Sequence, residues 1–222
     1  MEPIINQIRL CGTLETAPAF SHENHGRKFY RFLLAVERLS GTVDLLPVLA
    51  DWELLDGSDV AWGERILVQG QIRSYNQPSP TGRRLIISVY AETMELCDQP
   101  PENEVVLTGA LCKDPIYRRT PLGREICDVM LAVNRPYHRT DYLPCIFWGR
   151  TAKYVARMEV GDRLTLRGRL QSRVYTKLLP DGSGVERTAY EISAVAAENA
   201  GALCPQDGEN VCPPQEENAI FC

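Results

Sequence analysis

The stretch GDRLTLRGRLQS at residues 161–172 has a counterpart in GERILVQGQIRS at residues 63–74. Apolar and glycine positions alternate with polar ones in both, over Leu164–Leu170 and over Ile66–Ile72. This alternation is typical of a β-strand with one buried face. We therefore predict that the chain forms the same strand twice.

The similarity extends far beyond this strand. With an offset of 97 residues, Leu10–Leu14 aligns with Leu107–Leu111, and LLAVER at 33–38 aligns with MLAVNR at 130–135. One inserted residue raises the offset to 98 for the opening stretch. A period of this length is too long for a solenoid repeat and indicates a domain that was copied whole.

Each repeat is predicted to be an all-β domain. In the second repeat, further strands are expected before and after the opening stretch, and TAKYVARMEV at 151–160 has the spacing of a short helix. Five strands with a helix between the third and the fourth is the order of an OB-fold barrel, so we predict two tandem barrels. The other predicted strands of the second repeat are 103–112, 125–135, 141–148 and 187–196.

Composition divides the chain into three parts. We predict an OB domain in residues 1–98 (repeat one), a second in residues 99–197 (repeat two), and a disordered acidic tail in residues 198–222. The junction between the repeats is the proline-containing CDQPPE at 97–102.

Charge is distributed unequally among these parts. The whole chain has a net charge of −5, which by itself disfavours nucleic acid. Repeat one carries 9 basic and 13 acidic side chains, repeat two carries 15 and 11, and the tail carries 0 and 5. A basic domain beside an acidic tail indicates a polyanionic partner for repeat two.

The fourth predicted strand of repeat two places arginines on one face. Alternation puts these side chains opposite Leu164, Leu166 and Leu170, where they are predicted to follow a phosphate backbone. The alternative is a solvated outer barrel face, which fits repeat one better, since Gln69, Gln71, Arg73 and Tyr75 stand there. The residues of repeat two are Arg167, Arg169, Arg173 and Tyr175.

Aromatic residues on the third predicted strand add stacking surfaces. Tyr142 and Trp148 share one face, roughly 20 Å apart, whereas Phe147 belongs to the opposite, core-facing set. Base–aromatic stacking contributes about 1–3 kcal/mol per base. The turn before this strand carries Arg135, Tyr137, His138 and Arg139.

These residues resemble the bacterial single-stranded DNA-binding protein family. The resemblance rests on VVLTGALCKDPIYRRTPLGREICDVMLAVNRPY, DYLPCIFWGRTAKYV, VGDRLTLRGRLQSRVY and ERTAYEISAV, with weaker counterparts in repeat one. It implies that Tyr137, Tyr142, Trp148 and Tyr175 stack on DNA bases. Repeat one has Ser40, Leu45, Asp51 and Gln77 at the matched places, and its remaining candidates for DNA contact are Arg27, Lys28, Arg83, Arg84 and Tyr75 in loops. With Lys177 added, the predicted DNA-binding set is Arg135, Tyr137, His138, Arg139, Tyr142, Trp148, Arg167, Arg169, Arg173, Tyr175 and Lys177.

The same resemblance has implications for partners. Members of the family assemble four OB domains, which implies a homodimer for a chain with two. Their acidic tails end in an apolar tip that recruits replication and repair proteins, and Glu216, Glu217, Ile220 and Phe221 are similar to that tip. Here Cys222 follows the phenylalanine, which departs from the family pattern.

Other classes of function remain as alternatives. We find no phosphate loop, no HExxH and no nucleophile elbow, so we predict a protein that is not an enzyme and needs no cofactor. The eight cysteines lack ligand spacing, so no metal site is predicted. Without a membrane span or a signal peptide, a cytoplasmic location is expected. An RNA-binding OB module and a protein-docking OB domain remain open.

Overall fold

Twelve β-strands and two short helices make up the part of the chain described by this computed structural model, which is residues 5–57, 60–79, 82–178 and 182–199. Repeat one forms β1 (Asn6–Leu14), β2 (Ala19–Asn24), β3 (Arg27–Glu37), β4 (Val43–Asp51), α1 (Trp52–Asp56), β5 (Arg65–Ser79) and β6 (Gly82–Leu96). Repeat two forms β7 (Glu102–Leu111), β8 (Ile116–Arg119), β9 (Glu125–Arg135), β10 (Arg139–Trp148), α2 (Gly149–Val155), β11 (Arg163–Leu178) and β12 (Gly184–Asn199).

Each repeat closes into a five-stranded barrel. In repeat one, β1 pairs with β5 and with β3, β3 pairs with β4, β4 runs parallel to β6, and β6 pairs with β5. Strands β7, β9, β10, β12 and β11 are paired in the same way in repeat two. A helix lies between the third and fourth barrel strands of each, so the predicted OB fold is confirmed.

The alternation in the opening stretch produces the core. Leu164, Leu166 and Leu170 on β11 are fully buried, and so are Ile66 and Val68 at the corresponding face of β5. Burying one face of each barrel strand removes apolar area from water, which is the main favourable term in folding. The alternation of apolar and polar residues in the repeated motif therefore reflects the burial of one face of each strand.

The glycine repeated within the motif has a steric reason. Gly70 and Gly168 follow irregularities in the register of β5 with β6 and of β11 with β12. A Cβ atom at Gly70 would collide with the carbonyl of Tyr90, and one at Gly168 would collide with the carbonyl of Ser193. Glycine is needed at both sites because the neighbouring backbone approaches too closely for any side chain.

Several elements differ from the sequence-based prediction. The short strands β2 and β8 were not predicted, and they pair with β3 and β9 at the two outer edges of the sheet. Strand β12 continues to Asn199, two residues past the predicted end of repeat two at residue 197. The rest of the predicted tail, residues 200–222, lies outside the described residues. Within the described ranges, no helix has the length and apolar character to cross a membrane.

The helix of repeat two also differs from its predicted span of 151–160. It begins at Gly149 and ends at Val155, with Ala152 and Val155 buried as their spacing predicted. Glu159 lies beyond the helix in a turn, where its backbone N–H donates to Asp162 Oδ2 over 2.9 Å. The turn then passes through Gly161 at a φ of 98°, a conformation that favours glycine, before β11 begins at Arg163.

The two barrels share one continuous sheet. Strand β1 pairs antiparallel with β7, from Asn6 opposite Leu107 to Cys11 opposite Glu102. This pairing leaves β1 and β7 with neighbours on both edges, so no unpaired strand is exposed at the junction.

Two equivalent carboxylates fasten each barrel to the other. Asp141 of repeat two accepts a hydrogen bond from the Ser74 backbone N–H over 2.6 Å, and the Tyr142 backbone N–H donates to Ser74 Oγ over 2.8 Å. Asp44 of repeat one accepts from the Ser172 N–H, also over 2.6 Å. Asp141 and Asp44 occupy the same position of the two repeats, so the contact has an approximate two-fold symmetry.

Candidate nucleic-acid interface

Strand β10 separates its core side chains from its outer ones as the sequence predicted. Leu143, Cys145 and Phe147 are buried, whereas Tyr142 is 43% exposed. Trp148 is half-buried, and its indole N–H donates to Ser193 Oγ over 3.1 Å. Tyr142 is therefore an open stacking surface, and Trp148 is a partly open one whose edge is fixed to β12.

The turn between β9 and β10 projects an aromatic ring into solvent. Tyr137 is 92% exposed. Tyr137 and His138 have φ values of 62° and 55°, a region that non-glycine residues seldom occupy. Strained backbone of this kind persists where the surrounding structure determines it, and it is concentrated at functional sites. Arg139 is exposed next to them.

Arg135 differs from its neighbours in this turn. Its Nε lies 2.9 Å from Asp141 Oδ2, and 20% of its side chain is exposed. Burial raises the pKa of Asp141, and this effect outweighs the lowering by the Ser74 N–H and by Arg135. The positive charge of Arg135 is therefore partly neutralised by the buried Asp141 carboxylate at the junction of the repeats.

A cleft of about 970 Å³ lies between the two repeats. One wall is the β5–β6 hairpin of repeat one, and the other is the β9–β10 turn of repeat two. Among the described residues, no aspartate or glutamate lines it. Its cationic and aromatic lining consists of His22, Arg31, Arg73, Tyr75, Tyr90, Arg135, Tyr137 and Arg139.

Arg73 is a half-buried cation in the wall of this cleft. Burial lowers the pKa of Arg73, and the neighbouring Arg135 lowers it further. Its guanidinium carbon lies 5.4 Å from the centre of the Tyr90 ring. An arginine remains charged at any pH of interest, so two cations lie near each other here, and the buried carboxylate of Asp141 offsets part of their charge. An anion in the cleft would be attracted by the charge that remains.

The predicted face of β11 does not form one surface. Arg173 lies 5.6 Å from the centre of the Tyr175 ring, and Tyr175 and Lys177 line a second cavity of about 330 Å³. Arg169 instead lines a cavity of about 230 Å³ that also contains Glu102 and Glu104. The structure thus groups Tyr175 with Lys177 and places Arg169 beside carboxylates.

The second cavity also lies between the repeats. Its basic side chains come from both, with Arg83 and Arg84 on β6 and Lys177 and Arg187 on the β11–β12 hairpin. Tyr175 and Tyr190 complete the aromatic part of its lining. As with the larger cleft, the described residues place no carboxylate against it.

Sequence analysis predicted the contribution of repeat one to these clefts only in part, since Tyr75, Arg83 and Arg84 were named as candidates and line them. Arg31 and Tyr90 of repeat one, and Arg187 of repeat two, were not in the predicted set, because their strands show no arginine stripe or aromatic pair. Arg73 and Tyr75 were assigned to a solvated face, yet both line the larger cleft. The alternation of side chains along a strand cannot predict which residues line the cleft, because the second wall of the cleft comes from a distant part of the chain. Arg167 is exposed on β11, outside the described cavities.

Comparison with known proteins gives consistent matches. The sequence profile of the single-strand binding protein family matches residues 102–199. The single-stranded DNA-binding protein of Deinococcus radiodurans is 24% identical, with 95% of this chain and 81% of that protein aligned. The single-stranded DNA-binding protein of Halalkalibacterium halodurans is 38% identical over 49% of this chain and 68% of that protein.

A solved structure shows the same architecture over the whole described chain. Wild-type single-stranded DNA binding protein from Thermus aquaticus superposes with a TM-score of 0.70 at 23% identity, covering 95% of this chain and 97% of that one. At this identity the likeness concerns the fold, and it includes both barrels in tandem.

Proposed function

Because this chain belongs to the single-strand binding protein family, we propose that it binds single-stranded DNA without base-sequence specificity and without catalysis. The observation that carries the proposal is the cleft of about 970 Å³ between the repeats, with its arginines and tyrosines and no described carboxylate. Such a combination suits a flexible polyanion whose bases are free to stack.

The cleft provides both kinds of contact that a single strand needs. Arg73 and Arg139 are placed on opposite walls, where phosphate groups would neutralise them. Tyr75 and Tyr137 are 57% and 92% exposed, so their rings are open to bases. Bases of any identity present a π-face, which is why binding of this kind does not depend on sequence.

The path of the strand continues onto repeat two. Ser74 lines the cleft, and its hydroxyl accepts a hydrogen bond from the backbone N–H of Tyr142, whose side chain is exposed on β10 of repeat two. Tyr175 and Lys177 add a second basic cavity farther along the molecule. We assign the larger share of the affinity to repeat two, which carries the four predicted stacking rings, and a smaller share to the repeat-one wall.

RNA is the second candidate ligand, since stacking surfaces accept either sugar. Competition between DNA and RNA oligonucleotides of the same sequence, each roughly 30 nucleotides long, would separate the two. We expect DNA to displace RNA at lower concentration. Equal competition would replace the DNA proposal by a general single-strand binder, and weak binding of both would favour a protein-docking function.

Binding is expected to weaken as salt concentration rises, because each neutralised phosphate releases counterions. Replacing Arg139 with alanine should lower the slope of log K against log salt by about 0.7, the value for one single-strand phosphate contact. Fluorescence titration with a thymidine homopolymer at several salt concentrations measures this slope.

The matched control for Arg139→Ala is Arg119→Ala. Arg119 is also exposed, but it lies on the outer strand β8 and pairs with Glu125 at 3.3 Å. Its removal should leave the slope unchanged. If both variants changed the slope equally, the effect would reflect net charge and not a contact in the cleft.

We also propose that the protein is a homodimer with four barrels. The exposed apolar residues Val174 and Leu178 on the β11–β12 hairpin, at 63% and 73%, support an association through this region. Light scattering should then give twice the chain mass of 24.9 kDa. A stable mass of one chain at micromolar concentration would contradict the dimer.

Two further roles follow from the resemblance to the family. Recruitment of replication and repair proteins through Glu216, Glu217, Ile220 and Phe221 stays a prediction, because these residues lie outside the described ranges. The cytoplasmic location is likewise a proposal, consistent with a DNA-binding role.

A further inference from the structure

Two cysteine thiols meet where the linker between the repeats leaves the first barrel. Cys11 lies on β1 and is fully buried, and Cys97 is the first residue after β6. Their Sγ atoms are 3.3 Å apart, although 86 positions separate them along the chain. Cys97 is half-buried and is therefore the more accessible of the two.

Hydrogen bonds hold the linker in this position. The Cys97 backbone N–H donates to the Arg65 carbonyl over 3.0 Å. The Gln99 N–H donates to Cys97 Sγ over 3.3 Å, and Cys11 Sγ donates to the Gln99 carbonyl over 3.5 Å. Arg65 Nη1 also donates to that carbonyl, over 3.1 Å. Cys11 is thereby covered by the linker, with Cys97 between it and solvent.

We propose that Cys11 and Cys97 form an intramolecular disulfide when the protein meets a hydroperoxide. In the first step the Cys97 thiolate attacks the peroxide oxygen, which breaks the O–O bond, gives a sulfenic acid and releases an alkoxide or hydroxide that takes up a proton. In the second step Cys11 sulfur attacks the Cys97 sulfur, and the sulfenic hydroxyl leaves with the Cys11 proton as water. The two thiols lose two electrons in total, and the peroxide gains them.

The surroundings of each thiol suit its role in these two reaction steps. Burial, together with the neighbouring Cys97, raises the pKa of Cys11 to about 11, so Cys11 is a protonated and shielded thiol at neutral pH. A buried thiol does not react first with a dissolved oxidant, but it can resolve a sulfenic acid that forms in contact with it. A disulfide bond is about 2.05 Å long, so the sulfur atoms must approach, and the exposed residues 98–101 can supply the movement.

Repeat two has no equivalent pair. The strand registers make Thr108 and Ala200 the sequence counterparts of Cys11 and Cys97; Ala200 lies outside the described residues, and Thr108 Oγ1 shares a hydrogen bond with Thr165 Oγ1 at 2.8 Å. The barrel therefore closes without the thiols. The pair is a feature of repeat one and of the linker that follows it.

The bond would stabilise repeat one against unfolding. It would close a loop of 86 residues that contains nearly the whole of the first barrel. A cross-link over a loop of this size restricts the unfolded chain strongly. We expect the thermal unfolding midpoint of the oxidised protein to rise by several degrees over that of the reduced protein, and dithiothreitol to reverse the rise.

Peptide mapping of the full chain tests the site directly. The protein is treated with hydrogen peroxide at low concentration, blocked with an alkylating agent and cleaved after glutamate. Cys97 is then released in residues 96–102 and Cys11 in a peptide ending at Glu15, so each peptide carries one cysteine. The expected product is these two peptides joined, with a mass lower by two hydrogen atoms than their sum.

Variants provide the controls. Cys97→Ser should abolish both the joined peptides and the rise in midpoint, whereas Cys112→Ser should retain both. Cys112 is a matched control because it is half-buried and donates to the Met130 carbonyl over 3.3 Å. Recovery of Cys97 joined to another cysteine, or overoxidised while Cys11 remains a free thiol, would overturn the proposal. So would a rise in midpoint that persists in Cys97→Ser.

Discussion

Replacing Asp141 with alanine is expected to lower the free energy of unfolding by about 3–5 kcal/mol, the cost of removing one partner of a buried ion pair. Asp141 is completely buried, and its Oδ2 lies 2.9 Å from Arg135 Nε. Its loss would leave the Arg135 charge and the Ser74 N–H without their acceptor at the junction of the repeats. Urea unfolding followed by circular dichroism and by tryptophan fluorescence would measure the change.

Two further substitutions serve as comparisons for Asp141→Ala. Asp44→Ala removes the equivalent carboxylate, which pairs with Arg38 at 2.8 Å, and should cost a similar amount. Glu125→Ala removes a carboxylate from the surface pairs with Arg119 and Lys153, and should change stability little, since exposed ion pairs contribute little. A small change in the free energy of unfolding of Asp141→Ala would mean that the β1–β7 pairing and the Asp44 contact hold the barrels together without Asp141.

Asp141 also affects how the stability of the protein changes with pH. Because burial raises the folded-state pKa of Asp141, the folded protein binds this proton more tightly than the unfolded chain does. The stability gained from that proton is fully present below the unfolded pKa and is lost as pH rises through the folded pKa. Mild acid should therefore not separate the repeats through this group. Asp141→Asn should remove this contribution to the pH dependence while keeping an acceptor oxygen for Ser74.

Replacing Tyr142 with alanine is expected to weaken single-stranded DNA binding by about 1–3 kcal/mol, which is roughly 5- to 150-fold in Kd. The ring is 43% exposed on β10, and the hydrogen bond at this residue comes from its backbone. The side chain can therefore be removed without breaking the contact to Ser74. Fluorescence titration with a thymidine homopolymer would give the two Kd values.

Leu45→Ala is the matched control for Tyr142→Ala. Leu45 occupies the corresponding position of repeat one and is 40% exposed, so a similar area is removed without an aromatic ring. We expect less than a twofold change. Trp148→Ala is a less specific test, because it also removes the hydrogen bond to Ser193. Equal losses from Tyr75→Ala and Arg73→Ala would show that repeat one contributes as much affinity as repeat two.

The sequence predicted the elements that depend on local periodicity. The alternation around Leu164 and Ile66 identified barrel strands, and the offset alignment identified the tandem barrels. It also separated Phe147 from Tyr142, because neighbouring residues of a strand point to opposite faces. The strands β2 and β8 escaped prediction, since each is short and mostly exposed and so has no buried face to leave an alternating pattern.

Local patterns were thus enough to predict the duplication, the all-β class, the core-facing positions and the stacking candidates of repeat two. The fold in three dimensions was needed to settle which charges meet. It set Arg135 against Asp141, separated Arg169 from Tyr175, and brought Arg73 and Tyr90 opposite Tyr137. The reason is that parity fixes only the side of a strand on which a residue lies. A strand of 16 residues curls around a closed barrel, so residues on one side of it face different neighbours, and those neighbours come from distant parts of the chain.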